Sequence, residues 1–445
     1  MGKLFEHINK NKLAIFYIAF LLCISFFLAV IQPEGAGPDE HMKITICNFI
    51  AEKGELPHGG DEAIRDKLWG SSYGFTPILS YMIGALFIMI GKIFTNDPHI
   101  LYICARLVSV ICYTLMGFFV IKIARKLFEN KIYRCIFVLL ATILPEMVFL
   151  GSYINNDSLA LLSISMIVYG WIKAKENNFN IKTCIFLGIS IGICALSYYN
   201  AYGYILTSII FLIAYSIINK IGIKEFLKKG IVISTITLAI CGWWFVRNGI
   251  LYNGDIIGMK TCDEYGEMYA SEDLKPSKIL TPQRQGLTVI KMLTHGWVLS
   301  TVKSFIAVFG FMNVNANPIV YFIYFGIFVI GVIGYISKYY KLKYFKELKE
   351  DKIKLVMEIL FGINIIIPIG LSIYYSYTND YQAQGRYIMP MLIPFMYFIT
   401  KGIERILEKL IKNEILKKVI QIIIMSVLIV ILIACVLLII NTYNK

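Results

Sequence analysis

Charge is what this chain has least of. Only 16% of its 445 residues are charged, while 58% are hydrophobic; an average soluble domain is about a quarter charged. A water-soluble globular fold is excluded on that ground. Histidine is scarce, at five, and the ten cysteines show no CxxC or related ligand spacing, which removes zinc ribbons and cysteine redox motifs. Most of the cysteines (Cys23, Cys104, Cys112, Cys135, Cys184, Cys194, Cys241 and Cys435) lie inside apolar runs and read as small hydrophobes. Only Cys47 and Cys262 fall in segments outside such runs on one side, and spacing gives no reason to pair them. The first apolar segment follows a basic start (Lys3, Lys10, Lys12) but lacks a small-residue cleavage site, so it is expected to stay as a helix. No internal repeat is visible.

What is present is a series of apolar runs, most of them long enough to cross a bilayer as a helix, with a mean hydropathy of +0.68 over the chain. Eleven spans are predicted: 13–31, 100–121, 135–150, 158–172, 183–199, 201–218, 230–246, 318–337, 355–375, 387–400 and 419–440. The net charge of +14 then needs no nucleic acid. With the N-terminus in the cytoplasm, the short inner segments 1–12, 122–134, 173–182, 219–229, 338–354 and 401–418 hold 28 of the 43 lysines and arginines, as the positive-inside rule requires. A multi-pass cell-membrane protein is expected, a single all-α transmembrane domain over 1–445, with 338–354 as a solvated cytoplasmic linker.

One apolar run breaks the pattern. Residues 77–94, PILSYMIGALFIMIGKIF, look long enough to cross, yet counting them would invert everything downstream and place ARKLFENKIYR outside. They are predicted to lie at the outer interface or dip into it, with an ordinary span as the alternative. Two long extracytoplasmic loops result, 32–99 and 247–317, the second with an interfacial helix near Trp297–Phe311. A short outer loop, 151–157, and a last one, SYTNDYQAQGR at 376–386, complete that side.

The chemistry-bearing residues gather on these outer segments. Pro38 suits the first turn of a helix and Gly54 its stop. Met42, Ile46, Phe49 and Ile50 between them make the helix amphipathic. Asp39 and Glu40 fall in its first turn, where the dipole favours ionised carboxylates; capping is the plain alternative to a role as proton acceptors. Asn155, Asn156 and Asp157 lie at the mouth between the third and fourth spans, where Asp157 also suits a helix cap. Arg247 follows Trp243-Trp244, and Arg386 opens the tenth span. Both suit bidentate phosphate recognition, against a plainer role as interfacial anchors. Arg106 lies inside the second span, where an ionisable group is a functional hypothesis by default.

These motifs resemble the GT-C glycosyltransferases, among them the protein O-mannosyltransferases, the aminoarabinose transferases of lipid A and the catalytic subunit of oligosaccharyltransferase. Gly37-Pro38-Asp39-Glu40 looks like their acidic motif in the first outer loop. The nearest resemblance is to a bacterial GT-C branch with Pro-Asp-Glu near the start, Asn-Asp in the second outer loop and Gly-Arg-Tyr near the C-terminus. Here these are Pro38-Asp39-Glu40, Asn156-Asp157 and Gly385-Arg386-Tyr387. Family members also carry an interfacial apolar helix between the motif and the second span. Two features depart from the pattern: Lys43 stands where a histidine is common, with His41 out of register, and Ser197-Tyr198-Tyr199-Asn200 stands where many relatives have a lysine.

The resemblance implies transfer of a sugar from a polyprenyl-phosphate donor to a glycan, lipid or protein acceptor on the extracytoplasmic side. Asp39 would be the general base with Glu40 assisting, and Asn156 with Asp157 would serve the acceptor or a cation. Arg386, Arg247, Arg106 and Lys43 would bind the donor phosphate. The resemblance fixes no cofactor and leaves a divalent cation, magnesium or manganese, open. A transporter or flippase of lipid-linked sugars is the alternative.

Overall fold

A computed structural model describes residues 2–339 and 350–443 of the chain. The linker expected at 338–354 lies mostly outside the described residues.

Helix α1 (Gly2–Ile31) leads into the short α2 (Glu40–Lys53) and α3 (Leu79–Gly91), and then α4 (Pro98–Leu127). Next come α5 (Lys131–Thr142), α6 (Pro145–Leu150), α7 (Asp157–Glu176), α8 (Ile181–Ala195), α9 (Gly203–Ile218) and α10 (Ile223–Leu251). The second long loop holds α11 (Met259–Tyr269), α12 (Val289–Met292) and α13 (Val298–Ala307). It ends in a two-residue antiparallel pair, Val308–Phe309 with Val314–Asn315. The chain closes with α14 (Pro318–Tyr339), α15 (Lys352–Thr378), α16 (Leu392–Leu410) and α17 (Glu414–Tyr443).

Every predicted span has a helical counterpart, but among the described residues only eight are long and apolar enough to cross alone. The other three are reshaped for identifiable reasons. Span 135–150 is broken: Pro145 has no N–H to continue α5 and holds Leu144 at ψ 123°, outside the helical region. Helix α8 has only 15 residues. Span 387–400 begins as a 3-10 turn, Gly385–Met391, before α16.

The spans sort by burial. In α7, 83% of the spanning window is buried, against 28% in α17 and 11% in α10. The central helix buries Ser158, Ser163 and Ser165, whose hydroxyls bond to helix carbonyls within α6 and α7. Around α7, Trp171 packs against Tyr204, Phe211 and Phe361. Helices α14 and α16 approach through Gly331, Gly334 and Gly402, where an added Cβ would strike opposing backbone, a small-residue contact typical of membrane helices.

The position of α3 is settled by its ends. Gly35 N donates to Tyr102 Oη at 2.9 Å and Arg106 reaches the carbonyls of Ala29, Gln32 and Pro33, so α1 ends where α4 begins. The thirteen residues of α3 cover about 20 Å, short of a ~30 Å hydrocarbon core. The helix packs on the first turns of α4, with Gly84 beside Ala105 and Gly91 beside Cys104. At the opposite end of the bundle, Lys126 pairs with Glu176, Lys175 with Asp351, and Tyr133 with Glu408. The basic segments 122–134, 173–182 and 401–418 thus share one end, and the acidic motif lies at the other.

Candidate active site

Helix α2 stops at Gly54, in the left-handed region at φ 71° with its N–H on Ile50 O, but it begins at Glu40 rather than Pro38. Asp39 sits at the boundary with φ 56° and makes no side-chain cap. Aspartate is one of the few residues that tolerate this conformation. Freed from capping, its Oδ2 accepts from Tyr73 Oη and from Arg386 Nη2, each at 2.8 Å. Burial alone would raise the Asp39 pKa; the Arg386 guanidinium first, and the Lys43 ammonium next, hold the carboxyl well below the usual carboxylate range.

Both motif glycines mark close approaches. A Cβ on Gly37 would enter the Tyr153 ring, and one on Gly385 would meet the backbone of Phe305. Gly385 N donates to Ser304 Oγ at 2.6 Å, which seats the 3-10 turn on α13 and points Arg386 at Asp39. The arginine is 9% exposed, also donates to Tyr387 Oη at 3.1 Å, and keeps Nε without a partner among the described residues. Asp39 and Arg386 line one cavity of about 270 Å³, walled by Trp69, Tyr73, Tyr375 and Gln384.

The other predicted site residues stand elsewhere. Glu40 is fully buried and grips Arg106 in a two-pronged pair, Nε–Oε1 2.8 Å and Nη2–Oε2 2.9 Å. Its oxygens also accept from Ile154 N and Gly37 N. The remaining donors of Arg106 go to Ala29, Gln32 and Pro33, so all five are used and none is left for a phosphate. Arg247 donates to the carbonyls of Pro57 and Leu56 and stacks on Trp244. It pins a loop, away from the cavity lining. Lys43 is buried, bonds to Pro38 O at 2.9 Å, and lies over the Tyr73 ring; burial pushes its pKa down to about 8. Its charge acts on Asp39 from behind the cavity wall. Asn156 is held by Tyr81 Oη and donates to Ser197 O. Asp157 is buried at the first position of α7, where Arg386 and Lys43 are the cations acting on it, and lines neither this cavity nor its neighbour. His41 is 57% exposed and faces Asp66 at 3.4 Å. Cys47 and Cys262 are both free. Among the described residues no three His, Cys, Asp or Glu side chains converge as metal ligands.

A family model described as "Predicted membrane protein (DUF2142)" matches residues 68–396. The chain belongs to this family. The match takes in Tyr73, Asp157 and Arg386 and begins after Gly37-Pro38-Asp39-Glu40. A search of curated proteins returns no match. Among solved structures, ArnT from Cupriavidus metallidurans, bound to undecaprenyl phosphate, superposes with a TM-score of 0.54 at 13% identity, over 89% of this chain and 60% of that one. The archaeal oligosaccharyltransferase AglB from Archaeoglobus fulgidus, in complex with an inhibitory peptide and a dolichol-phosphate, gives 0.53 at 13% identity, over 97% and 56%. The chain therefore spans under two thirds of the length of either. Both are GT-C glycosyltransferases, and this DUF2142 member has their membrane fold.

Several residues in or near the site escaped the sequence reading. Tyr73 lies 34 positions from Asp39 in a loop with no periodic signal. Glu146, buried and accepting from Val308 N, was hidden inside a span taken as continuous. The third omission had a signal. Asp380, Gln382, Gln384 and Arg386 alternate in DYQAQGR, the period of an extended segment with one polar face, and all four line the cavity.

Proposed function

We propose that the chain is a glycosyltransferase that moves a sugar from a polyprenyl-phosphate donor to an acceptor hydroxyl or amine on the extracytoplasmic face. The observation that carries this is the Asp39–Arg386 contact at the floor of a cavity, inside a GT-C fold. The Lys- and Arg-rich segments gather at the opposite end of the bundle, which favours an outward-facing cavity.

The donor phosphate takes Arg386, whose Nε is free and whose fork suits a phosphate. Asp39 then loses its main cationic partner, and burial raises its affinity for a proton. It accepts the proton of the acceptor, whose heteroatom bonds to the anomeric carbon. The carbon–oxygen bond to phosphate breaks, and polyprenyl phosphate leaves with the electron pair, held by Arg386. Tyr73 fixes the Asp39 carboxylate during the transfer. Glu40 and Arg106 have a positioning role, and Lys43 supplies charge without touching the donor.

The test is turnover of a polyprenyl-phosphate sugar by purified protein. Asp39→Asn, nearly isosteric but unable to take the proton, is expected to lower transfer by about 10²–10⁴-fold, far more than the fall in folded fraction that loss of its pair with Arg386 brings. Wild-type turnover by Asp39→Asn would remove the base assignment, and movement of lipid-linked sugar across vesicles without transfer would favour a flippase.

A further inference from the structure

A second cavity of about 520 Å³ adjoins the first and shares Trp69, Ser71, Thr76, Cys262, Tyr375 and Asp380 with it. We propose that this continuous cleft is an acceptor site for a neutral or amino-substituted oligosaccharide, read by the alternating strip Asp380–Gln382–Gln384 against the rings of Trp69 and Tyr375. This rests on the transferase reading and names its acceptor class.

The strip carries the argument. Its side chains face the cavity, and they form a chain of planar groups, with Gln384 Nε2 bonding to Gln382 and Gln382 Nε2 to Asp380. A hydroxyl supplies both a donor and an acceptor, so a polyol matches a row in which amide donors and acceptors alternate and end on a carboxylate. Trp69 and Tyr375, at the junction of the two cavities, are 37% and 43% exposed. Uncovered rings beside a row of amides and a carboxylate match a sugar, with its apolar C–H faces and polar hydroxyl edges.

Other acceptor classes fit less well. A peptide adding as a strand needs free backbone groups, but those of the strip turn inward: Gln382 N and O both meet Ser376 Oγ, and Gly385 N meets Ser304 Oγ. A lipid would meet Asp263, Asn379 and Asp380 in the outer cavity. Charge narrows the sugar. Neither Asp263 nor Asp380 has a salt-bridge partner among the described residues, while Arg284 is engaged by the carbonyls of Pro276 and Ile279. An acidic glycan would meet two carboxylates without a salt-bridge partner among the described residues, against one guanidinium already bonded to carbonyls.

The experiment exposes the purified full chain to an array of neutral, amino-sugar and uronic-acid oligosaccharides beside a peptide array. Neutral or amino-sugar oligosaccharides are expected to bind, with retention lowered about tenfold by Asp380→Asn and by Trp69→Ala. Asp380→Asn alters a half-exposed loop residue and keeps the test open should Trp69→Ala fold poorly. Absence of glycan binding, preference for uronic acids, or binding unchanged in both variants would overturn the proposal. Sugar transfer to a peptide or lipid without glycan binding would defeat this inference and leave the transferase intact. Glycan binding without any transfer would do the reverse.

Discussion

Asp39 departs from helical geometry by one residue, and that departure separates a cap from a candidate base. In an ordinary first turn its carboxylate would close on the amides of α2. At φ 56° it reaches Tyr73 and Arg386 instead. Arg386→Ala is expected to weaken donor binding about tenfold to a hundredfold, the equivalent of one charged hydrogen bond. Arg386→Lys should fall between, since it keeps the charge and loses the fork; equal affinity in all three, by titration with polyprenyl phosphate, would reduce Arg386 to an anchor. The pH profile follows from the same contact. The Asp39 pKa is depressed in the free protein, so the acid limb of kcat/KM should lie below the ordinary carboxylate value of about 3.9. The limb of kcat, which reports the loaded complex, should lie higher once phosphate has taken Arg386. The depressed value also stabilises the fold at neutral pH, and that contribution is lost as pH falls through the acid range. Asp39 and Arg386 were legible in the sequence as an acid and a cation in outer segments. Their contact was not, because nothing local relates positions 347 apart.

At the scale of elements, Glu40 and Arg106 change meaning. Sequence reading placed one in catalysis and the other on phosphate, since an isolated charge in a span signals function. The structure gives a joint: one buried ion pair ties α1, α2, α4 and the turn at Ile154 together. Glu40→Gln leaves Arg106 charged and uncompensated, a loss on the order of 3–5 kcal/mol. Melting of the purified protein should show it as a lowered midpoint, with transfer falling in step with the folded fraction; a normal midpoint with abolished transfer would return Glu40 to the chemistry. Gly385→Ala acts on another element. Its methyl group would drive the 3-10 turn off α13, so donor affinity should fall although no charged residue is touched. Helices were the readable part, because apolar runs and Gly54 follow local rules. The break before Pro145 was equally local and was passed over; the Ser304–Gly385 seat is tertiary and carried no signal.

For the whole molecule, charge placement was the most informative feature. It predicts that 77–94 does not cross, and the thirteen-residue α3 packs on the first turns of α4. Single cysteines at Asn96 and Lys126 are expected to label from opposite sides in intact cells, Asn96→Cys from outside and Lys126→Cys only after permeabilisation. Labelling of both from one side would require another arrangement of α4. Eleven spans are predicted and eight of full length stand among the described residues, because a helix enclosed by others can be short or broken, while the length rule describes helices that meet lipid.

The two ion pairs also differ in when they can exist. Glu40 and Arg106 are 66 positions apart and Asp39 and Arg386 are 347 apart. Ribosomes add about 5–20 residues per second, so the first pair can close within seconds of its partners' emergence, while Asp39 waits on the order of tens of seconds for its arginine. During that interval Lys43 is present to act on Asp39, but the arginine and the wall at Tyr375 and Gln384 are not. A chain stalled before position 375 would therefore lack both the counter-ion and one side of the cavity, and the reactive pair appears only when nearly all of the membrane domain is in place.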